Sequence, residues 1–90
     1  MTRWDLVSFV ARSTQRRKIL PLLKNPITPS EIAKETNLYL THVSRALGEF
    51  QDKGLVECLT PKARVGKYYR ITKLGQRILK EVEKLNKKIN

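Results

Sequence analysis

The chain has 90 residues, of which 40% are hydrophobic, and its 19 lysines and arginines against 8 aspartates and glutamates give a formal net charge of +11. One domain is expected at this length. The share of hydrophobic residues excludes a disordered basic tail. The positive charge favours a polyanionic partner, which is nucleic acid, an anionic membrane surface or an acidic protein. The single cysteine, Cys58, excludes an internal disulfide. Because the chain shows no membrane span and no signal peptide, we expect a cytoplasmic protein with no membrane partner.

The first segment, residues 4–23, predicts two helices or one long bent helix. Apolar residues cluster at its two ends, and a polar stretch separates them. Ser13 or Thr14 can cap a second helix after this stretch, because a hydroxyl accepts hydrogen bonds from free backbone N–H groups. Pro21 is expected to kink or end that helix, since proline has no N–H to donate.

A strong helix start follows at Thr28. Thr28 is a good N-cap, Pro29 suits the first helical position, and Glu31 completes a capping box. The predicted helix spans residues 29–36, and Asn37 can end it by adopting the left-handed conformation.

A second helix is predicted after a tight turn, over residues 40–53. Gly54 is its natural end, and Leu55 can make the apolar contact of a Schellman ending. Two helices joined by so short a turn form a helix-turn-helix. At about 100° per residue, the apolar side chains of the second helix share one face and leave the opposite face polar.

A basic β-hairpin is predicted next. Residues 56–59 alternate weakly between apolar and polar, and residues 68–71 are rich in β-forming side chains, so both segments predict strands. The region from Thr60 to Lys73 contains no acidic residue. Its cations are Lys62, Arg64, Lys67, Arg70 and Lys73.

The last helix is predicted to start after a Thr72 cap and to run to about Lys88. Its apolar residues recur at steps of three and four, which approximates a heptad seam. We expect this seam to form a symmetric homodimer contact, because a long exposed apolar stripe usually pairs with a partner. The alternative is that the seam packs on residues 4–23 within one subunit. The predicted contact residues are Ile78, Val82, Leu85 and Ile89.

Four short motifs, in this order of elements, resemble the winged-helix regulators of the ArsR and MarR type, particularly the small archaeal ones. They are Thr28-Pro29-Ser30-Glu31-Ile32-Ala33, Val43-Ser44-Arg45-Ala46-Leu47, Lys53-Gly54-Leu55-Val56, and Tyr69-Arg70-Ile71-Thr72-Lys73-Leu74-Gly75. The chain departs from the family at Tyr39, where members often carry a serine that caps the recognition helix. It also lacks the ligand clusters of the metal-sensing members, because Cys58 and His42 are its only soft ligands and a tetrahedral site needs about four.

The resemblance implies a mainly α-helical winged helix-turn-helix fold with a small β-hairpin. It also implies a transcriptional regulator of double-stranded DNA, commonly a homodimer whose recognition helices enter successive major grooves about 34 Å apart. The expected segments of the single domain, residues 1–90, are N-terminal helices at 1–24, the helix-turn-helix at 28–53, the hairpin wing at 55–71 and a dimerisation helix at 72–90.

The second helix and the hairpin are predicted to carry the DNA contacts. Arg45 suits a bidentate contact with guanine. Thr41, His42 and Ser44 stand close to it, within reach of base edges and phosphates. Ser30, at a helix N-terminus, is a further phosphate candidate. The hairpin cations suit phosphates or the minor groove, and they are Lys62, Arg64, Lys67 and Arg70.

No pattern in the sequence predicts catalysis. Nothing resembles a nucleophile with its base, and no glycine-rich loop cradles phosphate, so we expect neither an enzyme nor a cofactor, and we identify no small-molecule effector. Two alternatives to DNA binding are a protein-interaction module of a larger machine and an RNA-binding protein. A protein-interaction module needs neither a basic wing nor an outward Arg45. An RNA-binding protein usually carries stacking aromatic side chains on an open sheet, and only Tyr68 and Tyr69 qualify for that role.

Overall fold

The computed structural model describes the backbone of residues 3–89 and the side chains of residues 3–85. Its first elements are α1 (Trp4–Ala11), α2 (Thr14–Ile19) and a short 3₁₀ helix (Leu20–Lys24). Ser13 caps α2, because its hydroxyl accepts a hydrogen bond from the backbone N–H of Arg16 at 3.2 Å. Pro21 lies in the 3₁₀ helix, just beyond the end of α2. The predicted break at this proline is therefore confirmed.

The helix-turn-helix consists of α3 (Pro29–Thr36) and α4 (Leu40–Asp52). Thr28 and Glu31 form a reciprocal capping box, in which each side chain accepts a hydrogen bond from the other residue's backbone N–H at 3.2 Å. α3 ends at Asn37, which adopts the left-handed conformation with φ 59°. Tyr39 occupies the N-cap position of α4 and makes no side-chain capping bond. Both ends of α3 therefore lie where the sequence predicts them.

The end of α4 leads directly into the hairpin. Gly54 has a φ of 75°, its N–H donates to the Gln51 carbonyl at 3.0 Å, and the Leu55 N–H donates to the Phe50 carbonyl at 2.8 Å. This pair of bonds is a Schellman motif, as predicted. The two strands that follow are antiparallel, one residue shorter than predicted at the hairpin side, and are β1 (Val56–Cys58) and β2 (Tyr69–Ile71).

A backbone bridge that the sequence did not predict ties the hairpin to the helix-turn-helix. The Ile27 N–H donates to the Tyr69 carbonyl at 3.1 Å, and the Tyr69 N–H donates to the Ile27 carbonyl at 2.9 Å. Tyr69 also lies opposite Cys58 in the hairpin. The position of the hairpin is thus determined relative to the start of α3.

The last helix, α5 (Lys73–Ile89), begins at the predicted cap. The Thr72 hydroxyl oxygen accepts a hydrogen bond from the Gly75 N–H at 3.0 Å and the hydroxyl donates to the Gly54 carbonyl at 2.7 Å. A Cβ at Gly75 would collide with the Leu55 carbonyl oxygen and with the Ile71 side chain. A residue without a side chain is required here because α5 starts against the backbone that enters β1.

A single hydrophobic cluster holds these elements together, and it includes residues from all of the helices and both strands. α5 packs mainly on α1, whereas α4 packs on α2, α3 and β1. The mainly α-helical winged fold with a small hairpin is confirmed.

The apolar seam of α5 lies inside the subunit, which corrects the predicted exposed stripe. Ile78 and Val82 are each only 2% exposed, and Leu85 is half-buried against the same cluster. The side chain of Ile89 lies outside the described residues. The seam is covered because α1 packs along α5. The opposite face of α5 carries exposed cations, which are Lys73, Arg77, Lys80 and Lys84.

Candidate nucleic-acid interface

The exposed face of α4 is the one that the helical periodicity predicts. Thr41, Ser44, Arg45 and Gly48 are exposed. The opposite face of α4 is buried in the core, and its buried residues are Val43, Ala46, Leu47 and Phe50. Arg45 therefore projects from the middle of a polar surface, and none of the ion pairs found among the described residues involves it. Its guanidinium is available for a bidentate contact.

His42 lies at the edge of this face, against α2. Its Nδ1 is 3.3 Å from the Nε2 of Gln15, and its ring meets the Tyr39 ring edge-on, with centroids 5.7 Å apart and an interplanar angle of 89°. The imidazole is half-buried. Gln15 was not predicted to take part, because nothing in a linear sequence indicates that α2 lies beside α4.

Residues 59–68 form the wing. At its base the Leu59 N–H donates to the Tyr68 carbonyl at 2.7 Å, and the Tyr68 N–H donates to the Thr60 hydroxyl oxygen at 3.0 Å. Near its tip Gly66 has a φ of 70°, which favours glycine. Lys62 and Arg64 are exposed, and Lys67 is half-buried.

A groove between the wing and the helix-turn-helix brings four of the predicted residues together. It has a volume of about 480 Å³. Ser30 and Ser44 lie on the helical side, and Arg64 and Lys67 lie on the wing side. Hydroxyl donors facing two cations suit a phosphate group, because both can hydrogen-bond its oxygens. Lys62 does not line this groove.

Tyr69 lines the same groove and retains its phenolic proton. Burial raises the pKa of Tyr69 above its ordinary value, and the neighbouring Cys58 adds to the shift. The tyrosine hydroxyl is neutral at physiological pH even at its ordinary pKa, so it can donate a hydrogen bond. Tyr68, which directly precedes β2, is 43% exposed.

Arg70 is paired within the hairpin, which the sequence did not predict. Its Nη2 lies 3.0 Å from Oε1 of Glu57, the residue directly opposite it in the strand register. Both side chains are about half exposed. The charge of Arg70 is therefore partly compensated before any ligand binds, unlike that of Arg64, for which the described residues contain no ion pair.

Arg16 also has a role that the sequence did not predict. Its guanidinium donates to the Phe9 carbonyl at 2.8 Å, lies 3.7 Å from the centroid of the Phe9 ring and pairs with the Glu49 carboxylate at 3.4 Å. A run of cations such as residues 16–18 gives no sign of this, because the partners lie on α1 and α4. Arg16 is thus a structural link behind the exposed face of α4.

The described residues contain neither a metal cluster nor a membrane span. No three side chains of histidine, cysteine, aspartate or glutamate among them come together in a group that could hold a metal ion. No helix among them is long and apolar enough to cross a bilayer.

The fold and this surface together define a winged helix-turn-helix domain, and solved structures of that class are similar to the chain. A homodimeric winged helix-turn-helix DNA-binding domain of Mb0332 from Mycobacterium bovis, a possible ArsR-family transcriptional regulator, shares 26% identity at a TM-score of 0.68, with 92% of this chain and 74% of that one covered. A cysteine-to-serine variant of MarR from E. coli, complexed with operator DNA, shares 25% identity at a TM-score of 0.72, with 90% and 63% covered. FabT from Streptococcus pneumoniae, in complex with DNA, shares 26% identity at a TM-score of 0.65, with 83% and 54% covered.

The chain belongs to the family described as the HVO_A0261 N-terminal domain, whose model matches residues 4–90. No curated relative matches the sequence. The chain spans less than two thirds of the MarR and FabT chains.

Proposed function

We propose that this protein is a transcriptional regulator that binds specific sequences in double-stranded DNA. In the proposed complex, α4 lies in the major groove and the wing lies over the adjacent backbone or minor groove. The observation that carries the proposal is the groove that places Ser30 and Ser44 opposite Arg64 and Lys67. A phosphate strand that separates a major from a minor groove has the charge and the position to occupy it.

The residues of α4 are proposed to divide the recognition among them. Arg45 contacts guanine through its planar guanidinium, and each such contact contributes about 1–3 kcal/mol of discrimination. Thr41 contacts base edges beside it. His42, held by Gln15 at 3.3 Å, contacts a base edge or a phosphate at the rim of the groove.

The wing cations are proposed to act mainly on affinity. Lys62, Arg64 and Lys67 neutralise phosphates, a contribution that falls as salt is added because bound counterions are no longer released with the same gain in entropy. Arg70 contributes less, since Glu57 lies 3.0 Å from it.

We also propose that the protein acts as a homodimer on the nucleoid. Mb0332, which is homodimeric, supports this arrangement. Ile78 and Val82 are buried within the subunit, so the proposed contact uses surface residues other than these two. Light scattering at high micromolar concentration is expected to report a particle of twice the 10.5 kDa chain mass. A particle of the chain mass would contradict the dimer.

Fluorescence anisotropy with a mixed-sequence DNA duplex across a salt series tests DNA binding. The affinity of the parent is expected to fall steeply with salt, and the Lys62/Arg64/Lys67→Ala variant is expected to lower the slope by up to about 3. The matched control is Arg77/Lys80/Lys84→Ala, which removes the same charge from α5 and is expected to change the slope less.

Sequence specificity is tested with Arg45→Ala on duplexes selected from a random library. This variant is expected to lose affinity for a selected duplex and little affinity for random DNA. Absence of binding by the parent near about 50 mM salt, where phosphate contacts are strongest, would contradict the proposal. The positive charge would then indicate an acidic protein partner and a protein-interaction module.

A further inference from the structure

Two neighbouring apolar side chains are exposed at the start of α4. Tyr39 is 77% exposed and Leu40 is 49% exposed. Leu40 lines the groove opposite the wing, beside Ser44. Tyr39 precedes the first turn of the helix, next to His42. The start of α4 thus presents an apolar surface opposite the wing cations Arg64 and Lys67.

The stability of the fold does not explain Tyr39, and it explains Leu40 only in part. Tyr39 occupies an N-cap position, where serine, threonine, aspartate or asparagine would bond a free N–H, yet it makes no such bond. At 77% exposure it also buries little apolar surface. Leu40 leaves about half of its side chain in water. Because a better capping residue would stabilise the helix, the tyrosine indicates a requirement other than folding.

We propose that Tyr39 and Leu40 are specificity-determining residues that contact the 5-methyl groups of thymines in the major groove. This inference rests on the proposed function. The thymine methyl is the apolar group that base pairs expose in the major groove, and it is matched by apolar protein contacts rather than by hydrogen bonds. The N-terminal residues of a recognition helix are those that reach base edges.

The packing of Tyr39 supports this role. Its ring stands edge-on to His42, with centroids 5.7 Å apart, and Gln15 holds His42 from α2 at 3.3 Å. A ring restrained in this way loses little conformational freedom when it contacts a ligand. The aromatic surface is therefore positioned before DNA arrives.

The experiment removes the methyl groups and the apolar side chains in turn. Duplexes are selected from a random library with the full chain, and each thymine of the best duplex is then replaced by deoxyuridine, which differs only by the missing methyl. The parent is expected to lose about fourfold in affinity at one or two positions, the value for one buried methyl group. Tyr39→Ser and Leu40→Ala are each expected to bind less tightly and to become insensitive to deoxyuridine at one of those positions.

Two controls separate this effect from unfolding and from a general loss of apolar surface. Tyr39→Ser supplies a capping hydroxyl, so it is expected to melt no lower than the parent. Trp4→Ala removes an apolar side chain that is 58% exposed on α1 and does not line the groove, and it is expected to keep the full sensitivity to deoxyuridine.

The outcomes distinguish this inference from the proposed function. If the parent binds the selected duplex in a salt-dependent manner but no deoxyuridine substitution changes its affinity, or if no thymine is enriched by selection, the methyl contacts are refuted while DNA binding stands. The inference is also overturned if Tyr39→Ser and Leu40→Ala retain the parent's sensitivity. If the parent binds no duplex at all, it is the proposed function that fails.

Discussion

The guanidinium of Arg16 lies 3.4 Å from the carboxylate of Glu49, and this ion pair joins α2 to α4. The same guanidinium bonds the Phe9 carbonyl and covers the Phe9 ring. Three helices thus meet at one side chain, only 21% of which is exposed. The contact thus connects α1, α2 and α4.

We expect Arg16→Met to lower the free energy of unfolding by about 2 kcal/mol, because it removes a charged hydrogen bond and a cation–π contact together. Glu49→Gln is expected to cost less than about 1 kcal/mol, since the Glu49 side chain is 39% exposed and its ion pair is screened by water. Urea unfolding measures both. Arg17→Met is the control, because Arg17 bonds only the exposed Thr14 hydroxyl among the described residues; an equal loss in that variant would contradict the assigned role of Arg16.

Gly75→Ala is expected to destabilise the protein by about 2 kcal/mol or more, because the added Cβ collides with the Leu55 carbonyl and the chain has to shift. Gly48→Ala is the matched control, since a Cβ there meets nothing within 4 Å. That change is expected to raise stability by about 0.5–1 kcal/mol, as alanine is the better helix former. Thermal unfolding of the two variants gives the comparison, and similar melting temperatures would refute the close approach at Gly75.

Glu57→Gln is expected to tighten DNA binding and to steepen its salt dependence, because the substitution releases Arg70 from its partner at 3.0 Å and leaves one more cation for phosphate. Anisotropy across a salt series measures both quantities. Glu83→Gln removes an equal charge from α5 and is expected to change them less. A slope that is the same in Glu57→Gln as in the parent would show that Arg70 does not approach the DNA.

Val82→Ala is expected to lower the free energy of unfolding by about 2 kcal/mol, because Val82 is 2% exposed within one subunit and the change leaves a cavity. The loss is expected to be the same at low and high protein concentration, since it arises inside the subunit. Denaturation at two concentrations at least a hundredfold apart tests this. A loss confined to the higher concentration would place Val82 in a dimer contact instead.

Local features of the fold could be predicted closely. The capping box of Thr28 and Glu31, the left-handed Asn37 and the Schellman ending at Gly54 all occur at the predicted residues. Each depends on residues within about one helical turn of one another, so the sequence contains all the partners. The buried and exposed faces of α4 follow from helical periodicity for the same reason.

The candidate site could be predicted only in part. The outward position of Arg45 follows from the predicted helix face. The groove that brings Ser30 and Ser44 together with Arg64 and Lys67 was not predicted. The pairing of Arg70 with Glu57 was missed, because it depends on the register of the two strands. The sequence leaves that register open by one residue.

The sequence by itself determined both ends of α3, the end of α4, the face that α4 turns outward and the basic character of the wing, because these depend on neighbouring residues and on net charge. Only the tertiary structure decided that α1 covers the apolar seam of α5, that Arg16 joins three helices and that Ile27 pairs with Tyr69. An amphipathic helix specifies that its apolar face must be covered but not by which segment. The covering segment is chosen by packing between residues far apart in the chain.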